Sequence, residues 1–503
     1  MLGTVDSCLL FGLDVRGVEV QVDISNGTVG FFLVGLATTS VKEARERVRS
    51  AIRNSGLEFP RRRLTVNLAP AELRKEGALL DLPIAVAIAL ARAEKKAPSR
   101  SAFLGELALD GAVRHVDGVL VAARGLRRLG YERVFVPAPD AAEAALVEGL
   151  EVFPCTTLVE VVGHLLGAAP IQPQSPAVSE SGRGEPVVEL DLMEVHGQEE
   201  AKRALEVAAA GGHHVLLSGP PGAGKTMLAR CLPGILPPLD PDDALEVAQV
   251  RSVLGELPRD GPLDWTRPFR SPHHSVSMAG LIGGGSGLAQ PGEISRAHHG
   301  VLFLDELAEF QSPVLQALRQ PLETGRVAIT RSAGSVVYPA RFTLIAATNP
   351  CPCGWAGDHV RACRCTPAAV DTYRRRLSGP LLDRIDLQVG VRRVKLETLS
   401  SEPRGEPSAA VRERVVAARR RQADRQGCLN AQLKPARLRQ LAALEPASRR
   451  VLERWAEQRG LTARGFHRAW RVARTAADLD GSPAIAEQHV LEALGYRLQD
   501  VAA

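Results

Sequence analysis

Between Ser218 and Thr226 the chain reads Ser-Gly-Pro-Pro-Gly-Ala-Gly-Lys-Thr. From Gly219 this fits G-x-x-x-x-G-K-[ST], the spacing of a phosphate-cradling P-loop. Gly222 and Gly224 open backbone conformations closed to residues with a Cβ, so N–H groups can converge on phosphate oxygens. The stretch Gly219, Pro220, Pro221, Gly222, Ala223 and Gly224 is therefore expected to wrap a nucleotide's phosphates. Lys225 is expected to reach the β- and γ-phosphates, and Thr226 to offer its hydroxyl to Mg²⁺. A second piece lies some 80 residues on, in Gly300-Val-Leu-Phe-Leu-Asp-Glu306. Four apolar residues followed by two acids read as a buried parallel strand ending in carboxylates. In P-loop NTPases such an acid supports Mg²⁺, the role expected of Asp305. Glu306 is expected to polarise the attacking water, which a general base must reach. Together these residues predict a site for ATP and Mg²⁺.

A different chemistry is written in Cys351-Pro-Cys353 and Cys363-Arg-Cys365, where four of the eight cysteines fall within 15 residues. Four thiolates at the ends of a short loop can close a tetrahedral Zn²⁺ site, structural when all ligands are protein. The C-x-C spacing departs from the commoner C-x₂-C, and unligated reduced thiols are the alternative. Met1 to Asp14 lacks a basic start, a long apolar core and a small-residue cleavage pattern. The expectation is an unsecreted, cytoplasmic chain with reduced or metal-bound cysteines. Arg267 to Ser275 and Gly280 to Gly287 make a long Pro-, Gly- and His-rich segment. The histidine pairs 273–274, within it, and 298–299, beyond it, are read as loop or interface residues, since adjacent side chains rarely converge on one metal.

These residues need a frame. His214 to Leu217 is strand-like, Met227 to Arg230 continues as a helix, and Gly197 to Val207 is a helix leading into the P-loop strand. Arg326 to Arg331 and Ser335 to Tyr338, joined around Gly334, read as a β-hairpin. From Leu2 to about Gly167 the pattern is mixed α/β. Val18 to Ile24 and Leu64 to Leu68 alternate like half-buried strands. Lys42 to Asn54 places Val41, Ala44, Val48, Ala51 and Ile52 on one helix face. Leu82 to Leu90 reads as a buried helix, and Arg61 to Arg63 as a solvated turn. Pro-rich, aperiodic stretches around 169–188 and 398–409 read as linkers. They divide the 503 residues into an N-terminal domain (1–168), a nucleotide-binding core (189–397) and a helical region (410–503). No stretch approaches the roughly 20 apolar residues of a membrane span. The net charge of +5 hides 17 Lys and Arg against 5 Asp and Glu between Val411 and Thr475. A basic region on an acidic body fits a polyanion partner or a charged subunit seam, with solvated helix faces as the alternative.

Val41-Lys-Glu-Ala-Arg-Glu-Arg-Val-Arg49 and Asn67-Leu-Ala-Pro-Ala-Glu-Leu-Arg-Lys-Glu-Gly-Ala-Leu-Leu-Asp-Leu-Pro83 resemble the N-terminal domain of the ComM/YifB family of magnesium-chelatase-like AAA+ ATPases. The resemblance spans almost the whole chain. It implies an α/β fold: a P-loop AAA+ core with a C-terminal helical lid, preceded by a Lon-protease-like (ribosomal S5 domain 2-like) α/β domain. In that domain the position of the Lon serine holds Leu79, and that of the lysine, within Gly118 to Val121, is also apolar. Without a nucleophile and its base no peptidase chemistry can start.

Further site residues follow from the same resemblance. His196, Gly197 and Gln198 would line the base pocket. Asn349 would be the sensor that orients water, with an ordinary strand-end turn as the alternative. Arg384 in Leu381-Leu-Asp-Arg-Ile-Asp386 would be an arginine finger reaching a neighbouring subunit, with a local ion pair to Asp383 or Asp386 as the alternative. A finger acting in trans implies a homo-oligomeric ring, a hexamer by resemblance. Arg331 would meet a phosphate backbone at the hairpin tip. Arg464 is favoured as second sensor on a helix capped by Thr462, with Arg468 its rival, and Arg471 and Arg474 are read as solvated or DNA-facing. The family implies a motor on single-stranded or branched DNA, a branch-migration helicase for recombination in natural transformation, working with recombination proteins. A protein-remodelling chaperone of magnesium-chelatase type is the rival.

Overall fold

The computed structural model describes residues 1–35, 39–72, 75, 77–175, 189–258, 263–285, 289–331, 334–358, 360–377, 381–394 and 405–497. The first linker beyond residue 175, the second up to residue 404, and residues 73, 74, 76, 286, 287 and 498–503 lie outside them, as do the side chains of Val41 and Lys42.

The first 165 residues form a seven-stranded mixed sheet. Its spatial order is Gly30–Val34, Arg63–Ala69, Asp14–Ser25, Leu2–Phe11, Ser101–Phe103, Arg133–Pro137 and Glu151–Cys155. Alternation does the work expected of it: Val18, Val20, Val22 and Ile24 are buried, with exposed or half-buried residues between them. They meet the apolar helix Asp81–Ala93. Ala44, Val48, Ala51 and Ile52 of the helix Thr39–Asn54 close the same core. Leu79 is 8% exposed, and Val119, Leu120 and Val121 are fully buried. Arg63 is not in a turn: it opens the second strand, and its guanidinium lies 4.9 Å from the Phe32 ring centroid.

The nucleotide-binding core carries a five-stranded, all-parallel sheet. Its order is Phe269–Arg270, Val301–Leu304, Thr343–Thr348, Val215–Ser218, Leu387–Gly390. The inner runs Val-Leu-Phe-Leu and Thr-Leu-Ile-Ala-Ala-Thr are buried throughout, as strands covered on both faces must be. Register aligns Ser218 with Thr348, and Leu304 with Ala346. The loops after these three adjacent strands therefore emerge together at the carboxyl edge, where open parallel sheets place ligands.

The C-terminal region is built of helices: Ser408–Gln426, Pro435–Leu441, Pro446–Arg459, Ala463–Leu479 and Glu487–Gly495. Two expected boundaries move. The first of these helices starts inside the predicted linker, because the Ser408 hydroxyl accepts the Leu192 N–H at 2.7 Å and is fully buried. The start of the first linker is docked as well: Gln174 N–H donates to Val152 O at 2.8 Å and Ile171 packs on the N-terminal core. That core also touches the nucleotide-binding one. Gly118 N–H donates to Ser252 O at 3.0 Å, and Leu120 and Leu146 share an apolar cluster with Val247, Ala248 and Trp265.

The hairpin Arg326–Arg331/Gly334–Pro339 forms as predicted. Tyr338 donates its hydroxyl to Ala289 O at 2.6 Å, pinning it to the Gly-rich segment. Arg331 is exposed at its end. No helix among the described residues is long and apolar enough to cross a membrane.

Candidate nucleotide site and four-cysteine loop

The P-loop lies between the strand Val215–Ser218 and the helix Lys225–Ile235. Gly222 (φ 74°) and Gly224 (φ 94°) sit in the left-handed region, and a Cβ at either would meet nothing within 4 Å. The glycines are required by backbone conformation, not by crowding. The helix presents its free N–H groups, and the positive end of its dipole, to the loop.

Lys225 is 8% exposed. Its Nζ donates to Gly219 O at 2.6 Å, Pro220 O at 3.0 Å and Asn349 Oδ1 at 3.1 Å. Burial lowers its pKa, while the carboxylates of Asp305 and Glu306 pull it back up. Thr226 Oγ1 donates to Asp305 Oδ2 at 2.9 Å. A hydroxyl and a carboxylate oxygen so placed are the hard donors that Mg²⁺ takes. Glu306 is a non-glycine residue at φ 51°, with its own N–H donating to Asp305 Oδ1 at 2.9 Å. Strained backbone of this kind gathers at functional sites.

The structure thus brings together Lys225, Thr226, Asp305, Glu306 and Asn349. It adds His274, whose Nδ1 lies 3.5 Å from Glu306 Oε2. The only trace of His274 in the sequence was a histidine pair in a long Gly/Pro-rich segment. Its neighbour His273 turns to Ser275 Oγ, 2.8 Å away. Gln198, at φ 62°, bridges Ala223 O at 3.2 Å and Arg392 O.

Other predicted residues stand apart from this cluster. Arg384 closes the 3₁₀ turn Leu382–Arg384 and pairs with Glu323, not with Asp383 or Asp386. Asp386 belongs to His213, whose Nδ1 is 3.2 Å from Asp386 Oδ2 and whose Nε2 is 2.8 Å from Thr475 Oγ1. Burial would raise Asp386, but the His213 hydrogen bond and nearby positive charge hold it down to about 2. Thr462 caps the helix Ala463–Leu479, accepting Gly465 N–H at 3.1 Å.

The two rival arginines on that helix separate. Arg464 is exposed, whereas Arg468 is 5% exposed and donates to Ile385 O at 3.1 Å. Arg474 is neither solvated nor outward-facing: it is 2% exposed, pairs with Asp478 at 3.1 Å and donates to Pro483 O at 2.9 Å. Arg414, Arg419 and Arg425 are likewise spent on Glu206, Ala209 O and Asp478. Much of the basic excess is therefore internal wiring, because a helical lid must satisfy the carbonyls and carboxylates it covers.

The four cysteines converge. Cys351 Sγ is 3.4 Å from Cys353 Sγ and 3.6 Å from Cys363 Sγ, and all four sulfurs lie within 4.8 Å of one another. Four sulfurs at the 2.3 Å Zn–S distance of a tetrahedron stand roughly 3.8 Å apart, and a disulfide needs about 2.05 Å. The spacing fits the former. Ala356 N–H donates to Cys351 Sγ at 3.3 Å and Cys365 N–H to Cys363 Sγ at 3.4 Å. The Arg364 and Trp355 N–H groups lower the pKa of the Cys353 thiol, while hydrogen bonds among the sulfurs raise those of Cys363 and Cys365. Cys8, Cys155, Cys231 and Cys428 are free.

His298 and His299 lie, as expected, in a connecting turn, between the helix Glu293–Arg296 and the strand Val301–Leu304. They are nearly buried before the acid-bearing strand, and both Nε2 atoms lie 2.9 Å from Glu246 Oε2 on the helix Pro241–Ser252.

Three family models match the chain: magnesium chelatase, subunit ChlI, over residues 191–399; subunit ChlI of Mg-chelatase over 20–140; and the C-terminal part of magnesium chelatase subunit ChlI over 405–497. YifB of Salmonella typhimurium is 44% identical over 504 residues, 99% of this chain and 97% of its own. Competence protein ComM of Haemophilus influenzae is 44% identical over 508 residues, with shares of 99% and 97%. Magnesium-chelatase subunit ChlI of Euglena gracilis is 27% identical over 184 residues, 31% of this chain and 51% of that protein.

Proposed function

Because the chain belongs to the ComM/YifB family of magnesium-chelatase-like proteins, we propose that it is an Mg²⁺-dependent AAA+ ATPase working as a DNA motor. The motor is a homo-oligomeric ring, hexameric and cytoplasmic, acting on single-stranded or branched DNA. Its task is branch migration that promotes recombination during natural transformation, a reading supported by the competence protein among its relatives.

The observation that carries the ATPase reading is the pair of contacts across three strand ends. Thr226 lies 2.9 Å from Asp305, and Lys225 lies 3.1 Å from Asn349. In this reading the P-loop backbone and Lys225 grip the phosphates, and Thr226 with Asp305 holds Mg²⁺, which when bound neutralises developing phosphate charge. Glu306 takes the water's proton, and Asn349 fixes the water's position. Arg384 exchanges Glu323 for the γ-phosphate of a neighbouring subunit, and Arg464 reaches the nucleotide from the lid. Zn²⁺ in the cysteine loop is structural. The working domain scheme keeps the three expected parts, with the N-terminal domain extended to Gln174 and the helical region opened at Ser408. The first of these is a Lon-type scaffold without peptidase chemistry, given the buried Leu79 and Val119 to Val121.

ATP turnover without DNA, with single-stranded DNA and with a four-way junction tests this. We expect stimulation strongest on the junction, and loss by roughly a hundredfold or more in Lys225→Ala, which removes the phosphate-gripping ammonium. DNA binding should weaken steeply with salt through counterion release. Turnover indifferent to DNA would move the function to protein remodelling of the magnesium-chelatase kind.

A further inference from the structure

The four-cysteine loop is not a remote staple. Cys351 follows Asn349 by two residues, so one end of the loop is the strand end that contacts Lys225. Gly354 then turns back at φ 82°, its N–H donating to Cys351 O at 2.9 Å. There its backbone lies flat against the P-loop. A Cβ on Gly354 would fall 2.6 Å from Cδ and 2.7 Å from Cγ of Pro221, and 4.0 Å from Asn349 Cγ. Nothing larger than a hydrogen fits.

The far side of the loop reaches the Gln198-held segment through Trp355. Its ring lies 4.8 Å from the Arg361 guanidinium and 5.2 Å from that of Arg393. The neighbouring Arg392 carbonyl accepts Gln198, which also holds Ala223 of the P-loop. A loop of this kind, with little regular structure of its own, owes its shape to whatever fixes its four sulfurs.

We propose that Zn²⁺ held by Cys351, Cys353, Cys363 and Cys365 braces the nucleotide site: through Gly354 on Pro221, and through the Asn349 strand end, metal occupancy sets the P-loop geometry that binds nucleotide. This rests on the ATPase and zinc readings above and adds a dependence that neither contains. Zinc takes no part in hydrolysis. Its loss acts by letting the Pro221 wall and Asn349 move, and displacements of about an ångström at such a site weaken function by up to about a hundredfold.

The test uses the full-length chain, with zinc measured by elemental analysis and affinity by a fluorescent ATP analogue. We expect about one zinc per chain in the parent. Stepwise zinc removal by a chelator should weaken analogue binding in proportion to the zinc released, and added zinc should restore it. Cys363→Ser should lose both zinc and roughly tenfold or more in affinity. Gly354→Ala, which keeps every sulfur, should retain zinc and lose affinity by a similar factor. The two variants separate a brace from a general loss of folding.

Zinc-free protein, or zinc-loaded Gly354→Ala, binding the analogue like the parent would overturn the proposal. A parent chain that binds the analogue but holds no zinc would overturn it too, leaving the ATPase reading intact. A zinc-loaded parent that binds no analogue would overturn it together with the ATPase reading.

Discussion

Two places among the described residues gather metal-ligating atoms within 4.8 Å of one another: the four cysteines, and Glu246 with His298 and His299. Distance does not separate them, but their protons do. The His298 Nδ1 already accepts the Arg341 N–H at 3.0 Å, so the ring's one proton sits on Nε2 and donates to Glu246. A metal would need a lone pair on that same Nε2, and neutral imidazole has none left to give. Asp243, 3.3 Å from His299, completes a hydrogen-bonded knot that is satisfied without an ion. In the cysteine loop the Ala356 and Cys365 N–H groups donate to sulfur as acceptor, which leaves further sulfur lone pairs for a metal. Converging side chains make a metal site only when their donors and acceptors are not already spent on one another.

The largest effect that could break this contrast is metal removal. Chelation or Cys363→Ser should release zinc and lower the melting temperature substantially, by several kcal/mol of stability. His298→Ala should leave the zinc content unchanged while destabilising by roughly 2–3 kcal/mol, because Glu246 and the Arg341 N–H lose a partner. Elemental analysis beside thermal unfolding decides it: metal lost from His298→Ala would mean that the histidine cluster was misread.

Acid offers the next discrimination. Burial outweighs Glu246 and holds His298 down to about 4, against an ordinary 6.5. The folded state therefore favours the neutral ring. Its contribution is complete above pH 6.5 and is lost as pH falls through 4, on the order of 3 kcal/mol in all. Glu246, held well below the usual carboxylate range by its two histidine hydrogen bonds, adds to the loss at still lower pH. The groups around the ring include Asp243, His299, Arg267 and Arg341, so the whole knot titrates as a unit. Denaturant unfolding between pH 7 and 4 should show this fall, and His298→Gln should flatten it. A His298→Gln profile as steep as the parent's would sink the assignment.

What could be read ahead of the fold divides along the same line. The P-loop, the acid-bearing strand and the cysteine loop were legible because their groups lie close in sequence and their chemistry is set by type and spacing. Strand alternation and helix faces gave most of the elements. What was not legible were the partners supplied from afar: Glu246 for a histidine pair 52 and 53 residues away, and Glu323 for Arg384, 61 residues away. The buried place of Arg474 depended on Asp478 and on carbonyls in the following turn. A run of basic residues gives composition, but only packing tells which of them are already occupied.

The two lid arginines carry that rule to its smallest effect. Helical spacing puts Arg464 and Arg468 one turn apart, and sequence cannot choose between them. Arg468 is nearly buried and donates to the Ile385 carbonyl beside the Arg384 turn, so its guanidinium is committed within the chain. Arg464 is exposed at the start of the same helix. Arg468→Ala should therefore lower stability by about 1–3 kcal/mol, leaving a buried carbonyl short of its donor. Arg464→Ala should shift stability by no more than about 0.5 kcal/mol, as exposed substitutions do, while slowing ATP turnover about tenfold or more. Melting curves beside turnover rates read both arms. If Arg464→Ala left turnover intact and Arg468→Ala abolished it at unchanged melting temperature, the second sensor would be the buried arginine, and prior commitment of a group would no longer argue against its reaching a ligand.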